Sequence, residues 1–251
     1  SENPEEPGLP DEFHGLQPQL LSRTFRPSNY LASQIFSGAD MNLYYDARHP
    51  LWYKRPDWFG VVGVSRLYDE VDMRLSYVVW QEGINPFVVV EVLSPGTEKE
   101  DLRENDGREQ LPSASDNLAG NGHINPEQKD DKPARKWEIY EQILRVPYYV
   151  VFSRYTDRMR AFKLEGGHYQ ELELPDSRVW MPEIDLGLGL WQGEYLGVDR
   201  LWLRWYDSEG NWIPTPEEAA QQRAELAEAR LESLMQRLRD SGIDPDRFLN
   251  S

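Results

Sequence analysis

The sequence contains no cysteine, which excludes a disulfide scaffold, thiolate zinc sites, iron–sulfur ligation and a cysteine nucleophile. Its four histidines are not paired at the spacing of metal ligands, which disfavours a histidine-rich zinc or iron site: His14, His49, His123 and His168. No apolar run approaches the ~20 residues of a membrane helix. Residues 1–4 show neither the basic nor the apolar part of a signal peptide. We therefore expect a soluble, cytoplasmic protein with no membrane partner.

Motifs of nucleotide binding and serine hydrolysis are also missing. Gly187-Leu188-Gly189 lacks the third glycine of a dinucleotide-binding loop and its strand and helix context. No loop ends in Gly-Lys-Ser/Thr, and no Gly-x-Ser-x-Gly elbow is present. The sequence therefore disfavours nucleotide-binding folds and that class of hydrolase.

The net charge of the 251-residue chain is -17 at pH 7, an excess that opposes binding to the nucleic-acid backbone. Most of the excess acid lies in residues 1–12, 101–132 and 207–251, so the rest of the chain is nearly neutral. This distribution permits a site that acts on nucleic acid. It gives no positive support for one, because no basic cluster is interleaved with aromatic residues.

The hydrophobic pattern alternates between helical and strand periods. Helical spacing predicts helices over 12–25, from Pro27 to Gly38, and from Pro133 to just before Pro147. Valine-rich and aromatic runs predict strands, the last two joined by a hairpin at 165–167: 41–46, 57–64, 76–81, 86–93, 148–153, 159–164 and 168–174. We expect an α/β fold, with a mixed central sheet flanked by helices, an aromatic β extension over 178–206 and a C-terminal helix. The tryptophans of the extension favour a packing layer over a base-stacking platform.

Three segments differ from the main domain in composition. Residues 1–11 are proline-rich and predict an extended lead-in, and about 101–132 form a polar insertion that cannot add to a core. Within 207–251, residues 216–240 predict a helix with a heptad seam: Ala220, Ala224, Ala227, Leu231, Leu234 and Leu238. Two interpretations of this helix stay open: it forms a coiled coil, giving a homodimer, or it docks on its own domain.

A candidate site emerges from Glu91, the one carboxylate in the apolar run from Phe87 to Leu93. A buried charge is costly unless it is paired, hydrogen-bonded or bound to a metal. Asp57 opens an earlier strand that could lie beside this one, and two neighbouring carboxylates repel unless a cation joins them. The pair predicts a hard divalent metal, with Lys136 of the next helix as a basic partner. Three structural interpretations remain: Asp57 caps a turn, Lys136 is a solvated helix residue, and Glu91 pairs with a buried arginine.

These residues lie in segments that resemble the PD-(D/E)XK nuclease superfamily and, within it, the Uma-type restriction endonucleases of bacteria. The resemblance covers about residues 12–240 and is carried by three segments: Pro56-Asp57-Trp58-Phe59, residues 87–97 (FVVVEVLSPGT), and Lys136-Trp137-Glu138-Ile139-Tyr140-Glu141 leading to residues 146–152 (VPYYVVF). The superfamily has a lysine two residues after the second acid, where this chain has Leu93. In the Uma-type group that lysine is thought to move to the helix, here to Lys136, one turn before Tyr140 and on the same face.

The resemblance implies a role for each of these positions. Asp57 and Glu91 would ligate Mg²⁺, with Mn²⁺ as the alternative ion, and the carbonyl of Val92 would complete the ligand set. Lys136 would orient or help to deprotonate the attacking water. Glu12 would correspond to an acid on the first helix of related nucleases.

The resemblance therefore predicts a metal-dependent endonuclease acting on DNA, with a nuclease-like domain over 12–206 and a helical tail over 207–251. The alternative is an inactive module that keeps the nuclease fold and binds a protein partner through its acidic appendages and C-terminal helix. A basic surface around Asp57, Glu91 and Lys136 favours the enzyme. An acidic cleft, or side chains that point apart, favours the module.

Overall fold

The computed structural model describes residues 11–93 and 135–242. Its strands are β1 (Ile35–Ala39), β2 (Leu43–Tyr44), β3 (Tyr53–Lys54), β4 (Trp58–Val62), β5 (Tyr77–Val78), β6 (Val88–Leu93), β7 (Tyr148–Ser153), β8 (Arg158–Glu165), β9 (His168–Glu171), β10 (Arg178–Met181), β11 (Leu186–Tyr195) and β12 (Val198–Tyr206). Its helices are α1 (Glu12–Thr24), α2 (Val79–Glu82), α3 (Lys136–Glu138, continued by a π-helical turn over Ile139–Ile143) and α4 (Pro216–Asp240).

A six-stranded sheet forms the centre of the fold, in the order β1-β4-β6-β7-β8-β9. Strands β6 and β7 are parallel, whereas the other neighbouring pairs are antiparallel. The aromatic extension forms a separate antiparallel sheet, β10-β11-β12, and the third sheet has the order β3-β2-β5. This architecture confirms the expected α/β class with a mixed central sheet.

Strand β6 is buried on both faces because its side chains alternate between two cores. Val88 and Val92 point into the core that contains α1 and residues of β12, whereas Val89 and Leu93 point into the core that contains α3. Glu91 lies on the same face as Val89 and Leu93. The alternation therefore places the carboxylate of Glu91 under α3.

Helix α1 joins the central sheet to the aromatic sheet. The buried amide of Gln17 donates to the carbonyl of Leu203 and accepts from its N–H, both at 2.8 Å. The ring of Phe13 stacks on Trp202 with centroids 5.2 Å apart, and Trp205 is also buried. These contacts make the aromatic extension a packing layer, as the sequence favoured.

The helix predicted from Pro27 to Gly38 is wrong. The structure has only a 3₁₀ turn at Ala32–Gln34, followed by β1. A Cβ on Gly38 would lie 2.5 Å from the ring of Phe59 on the neighbouring strand, so this glycine allows the strands to pack closely and does not end a helix. The strand predicted over 76–81 is shorter, because its second half forms α2.

Other sequence predictions near the site have mixed outcomes. The helix that follows the insertion ends before Pro147 as predicted, although Pro133 and the insertion itself lie outside the described residues. The hairpin between β8 and β9 is confirmed, since Gly166 and Gly167 form its loop with φ of 60° and 94°. Such positive φ values favour glycine at both positions.

Helix α4 is held to the rest of the protein by its first turn. Thr215 caps it in a capping box with Glu218, and Glu218 also pairs with the buried Arg204. No residue of α4 is buried, and the described residues show no docking of α4 on its own domain beyond this first turn. Within the described part of the chain, no helix has the length and apolar character needed to cross a bilayer.

Candidate functional site

Asp57 and Glu91 come together because β4 and β6 are antiparallel neighbours. Trp58 pairs with Val90, which places the preceding Asp57 beside Glu91. The N–H of Asp57 donates to Oε2 of Glu91 at 3.2 Å. In return, Oδ2 of Asp57 accepts from the N–H of Val92 at 2.6 Å. Each carboxylate is therefore fixed by a backbone group of the other strand.

Helix α3 supplies two further partners of Glu91. Lys136 Nζ lies 3.1 Å from Oε2, and the Tyr140 hydroxyl donates to Oε1 at 2.9 Å. Lys136 and Tyr140 are four residues apart and so share one helical face, as the sequence predicted. The structural interpretation in which Glu91 pairs with a buried arginine is wrong, because its charged partner is Lys136.

Burial dominates the electrostatics of Glu91, whose side chain is 0% exposed. Desolvation raises the pKa of Glu91 to about 7, while the charge of Lys136 opposes the shift and that of Asp57 adds to it. The hydrogen bonds from Lys136 and Tyr140 also favour the ionised form. A charge that burial disfavours this strongly is one that a bound cation would stabilise.

A second set of contacts reaches the site from the start of α1. His14 Nε2 lies 3.2 Å from the carbonyl oxygen of Val92, and its Nδ1 lies 2.8 Å from Oδ1 of Asp11. Asp11 also caps α1 and pairs with Arg154, which follows β7. Although burial acts to raise the pKa of Asp11, its hydrogen bonds with His14 and the charge of Arg154 leave that pKa lowered.

Sequence reasoning missed this histidine and chose its neighbour Glu12. The side chain of Glu12 is exposed on the first turn of α1, whereas that of His14 turns inward to Val92. The available signal was the helix start itself. An N-cap aspartate with a histidine three residues later places both side chains on one side of the first turn.

The oxygen donors of the site are the carboxylates of Asp57 and Glu91 and the carbonyl of Val92. Among residues 11–93 and 135–242, no group of three His, Cys, Asp or Glu side chains is arranged to hold a metal. Mg²⁺ commonly binds one or two carboxylates and keeps several waters, so it does not need a third side chain. Each carboxylate oxygen has two lone pairs, and the hydrogen bonds above leave capacity for a cation. The donor set therefore fits Mg²⁺ or Mn²⁺.

The position at which the superfamily has its lysine is occupied here by a buried leucine. Leu93 is 4% exposed and packs in the core under α3. The ammonium group near Glu91 comes from Lys136 instead, whose side chain is 18% exposed. The structure thus brings together all the sequence-predicted site residues except Glu12.

Comparison with protein families identifies the family of this chain. The model of a family described as "Uma2: Putative restriction endonuclease" matches residues 3–199, more than three quarters of the chain. The match confirms the resemblance noted in the sequence, and it ends before α4. A comparison with curated proteins finds no match.

Proposed function

Because the chain belongs to the Uma2 family of restriction-endonuclease-like proteins, we propose that it is a divalent-metal-dependent endonuclease that hydrolyses DNA phosphodiester bonds. The observation that carries the proposal is the environment of Glu91. A carboxylate is buried between a second carboxylate, an ammonium group and a phenol, where β4 and β6 lie side by side. A carboxylate needed only for packing would be replaced by an apolar residue at lower cost.

Each residue of the site has a distinct task in this proposal. Asp57, Glu91 and the Val92 carbonyl would hold Mg²⁺ or Mn²⁺. The bound ion supplies positive charge that lowers the pKa of a water and stabilises the charge developing on the phosphate. Tyr140 fixes the Glu91 carboxylate through Oε1, while Lys136 and the N–H of Asp57 meet Oε2. Lys136 orients the attacking water or helps to remove its proton.

The contacts of His14 extend this arrangement. Both of its ring nitrogens face acceptors, the Asp11 carboxylate and the Val92 carbonyl. The imidazole thus links the start of α1 to the end of β6 and holds the Val92 carbonyl in place beside Asp57 and Glu91.

The test separates metal binding from cleavage. Mn²⁺ and Mg²⁺ are titrated by calorimetry into the wild type, Glu91→Gln and Asp57→Asn, and the same samples are assayed on plasmid and single-stranded DNA. Glu138→Gln is the matched control, because Glu138 is an exposed acid on α3 near the site. We expect both site variants to lose metal binding and cleavage, and the control to keep both.

Two outcomes oppose the proposal. Unchanged metal binding in Glu91→Gln would show that Glu91 is not a metal ligand. Metal binding that depends on Glu91, with no cleavage of any DNA, would support the metal site but contradict the endonuclease activity.

A further inference from the structure

Helix α4 exposes apolar side chains along its length. Leu226, Leu231 and Leu234 are 59%, 52% and 56% exposed. Among residues 11–93 and 135–242, the contacts that attach the helix lie at its start: the capping box and the ion pairs of Glu217 with Arg23 and of Glu218 with Arg204. Helices in proteins gain most of their stability from tertiary packing of an apolar face, and no residue of α4 is buried against the described part of the chain.

The apolar residues of α4 follow a heptad repeat, whose positions are named a to g. Its a positions are Ala224, Leu231 and Leu238, and its d positions are Ala220, Ala227 and Leu234. In the first turn, Glu218 and Ala219 are partly buried against the protein, whereas Ala220 is exposed. The seam therefore begins on a side of the helix that its own domain does not cover. Leu226 occupies a c position, outside the seam.

The charged residues that flank the seam favour a parallel over an antiparallel pair of helices. The g positions are all arginine: Arg223, Arg230 and Arg237. The e positions are Gln221, Glu228 and Met235. In a parallel pair, each g residue faces the e residue of the next heptad, which sets Arg223 opposite Glu228 of the other helix. In an antiparallel pair, g faces g, and the arginines would repel one another.

We propose that α4 pairs with α4 of a second copy of this chain as a parallel two-stranded coiled coil. The seam is complementary to itself, with leucines at the free end and alanines at the attached end. The alanines allow close approach of the helices near the two domains. Three heptads with alanine in half of the seam bind weakly, so the dimer forms with micromolar affinity, about -8 kcal/mol at 1 μM.

Measuring the oligomeric state of the full chain tests whether α4 pairs through this seam. Sedimentation equilibrium of the full chain, over a hundredfold range of micromolar concentration, should show a mass rising from 29.3 kDa towards twice that value. Leu231→Glu combined with Leu234→Glu should stay monomeric. Leu226→Glu is the matched control, a leucine of similar exposure outside the seam, and should associate like the wild type. A wild type that stays monomeric, or a control that dissociates like the seam variant, would overturn the proposal.

The direction of pairing has a separate test, made simple by the absence of cysteine. Ser241 follows α4 at the next d position, so Ser241→Cys places one thiol on each chain. In a parallel pair the two thiols adjoin and should form a disulfide-linked dimer under mild oxidation. In an antiparallel pair they lie more than ~30 Å apart, from the rise of 1.5 Å per residue. A doubled mass without the disulfide would overturn the parallel arrangement. Neither test uses metal or DNA, so its result is independent of the endonuclease proposal.

Discussion

Tyr140 donates a hydrogen bond of 2.9 Å to Oε1 of Glu91, and neither residue is exposed to solvent. The bond orients the carboxylate from above while Lys136 and the N–H of Asp57 meet its other oxygen. Burial of the phenolic hydroxyl would be costly without a partner, and the Glu91 carboxylate is that partner. The same bond fixes the orientation of the carboxylate.

Replacement of Tyr140 by phenylalanine should weaken metal binding about tenfold, as for other residues that orient a metal ligand. The ring would still pack against Tyr149, so the fold should be kept. Calorimetry with Mn²⁺ measures the change. Tyr77→Phe is the control, because the Tyr77 hydroxyl donates to a backbone carbonyl away from Glu91. Equal losses of affinity in the two variants would show that Tyr140 acts through general stability.

The raised pKa of Glu91 predicts how stability depends on pH in the metal-free protein. With a pKa of about 7 when folded and an ordinary value of 4.5, the folded state binds more protons than the unfolded state between these values. The contribution of Glu91 is therefore favourable at low pH and is lost as the pH rises through this window. Relative to Glu91→Gln, the wild type should lose about 3 kcal/mol of unfolding free energy between pH ~4.5 and ~7.

Urea unfolding of the wild type and Glu91→Gln at several pH values measures this difference. Mg²⁺ should reverse the loss in the wild type alone, because a cation stabilises the ionised carboxylate. A difference between the two proteins that does not change with pH would show that Glu91 keeps an ordinary pKa.

Replacement of Lys136 by methionine should separate binding from chemistry. Removal of the ammonium group leaves the metal ligands in place, so Mn²⁺ affinity should be retained or should rise. Cleavage should fall by about 100-fold or more, the usual loss when a general acid or base is removed. Lys163→Met serves as the control, since Lys163 pairs with Glu183 on another part of the fold. Loss of Mn²⁺ binding in Lys136→Met would assign Lys136 a structural role.

Gln17 offers a test of the junction between α1 and the aromatic sheet. Gln17→Leu leaves the buried N–H and carbonyl of Leu203 without their partner and should destabilise the protein by about 2 to 4 kcal/mol. Gln19→Leu alters a neighbouring, exposed amide that accepts from Tyr195, and should have a smaller effect. Urea unfolding compares the two variants. Equal effects would show that the double hydrogen bond adds no stability.

The sequence predicted the parts of the site that depend on local pattern. The apolar run around Glu91 predicts a central strand, and the four-residue spacing of Lys136 and Tyr140 predicts a shared helical face. Local pattern does not give the pairing of β4 with β6, because strand order depends on contacts distant in the sequence. The sequence allowed the two strands to lie side by side, and the metal was inferred from that arrangement.

The remaining features depend on contacts that no local pattern shows. The start of α1 indicates that Asp11 and His14 share one side of its first turn, but the contact of His14 with Val92, 78 positions away, depends on how α1 packs on the sheet. The segment from Pro27 to Gly38 has helical spacing of its apolar residues, yet pairing with β4 determines its conformation. Tertiary contacts here override the local preference.

The parallel pairing of β6 with β7 distinguishes residues that belong to the sheet from residues that lie just beyond its edge. Leu93 and Ser153 end the two strands side by side, so the chain leaves both strands at the edge where Glu91, Val92 and Arg154 lie. Arg154, which follows β7, lies outside the sheet pairing, whereas the valines of β6 and β7 carry its register. A substitution at Arg154 can therefore change the charge at this edge without disturbing the register of the strands.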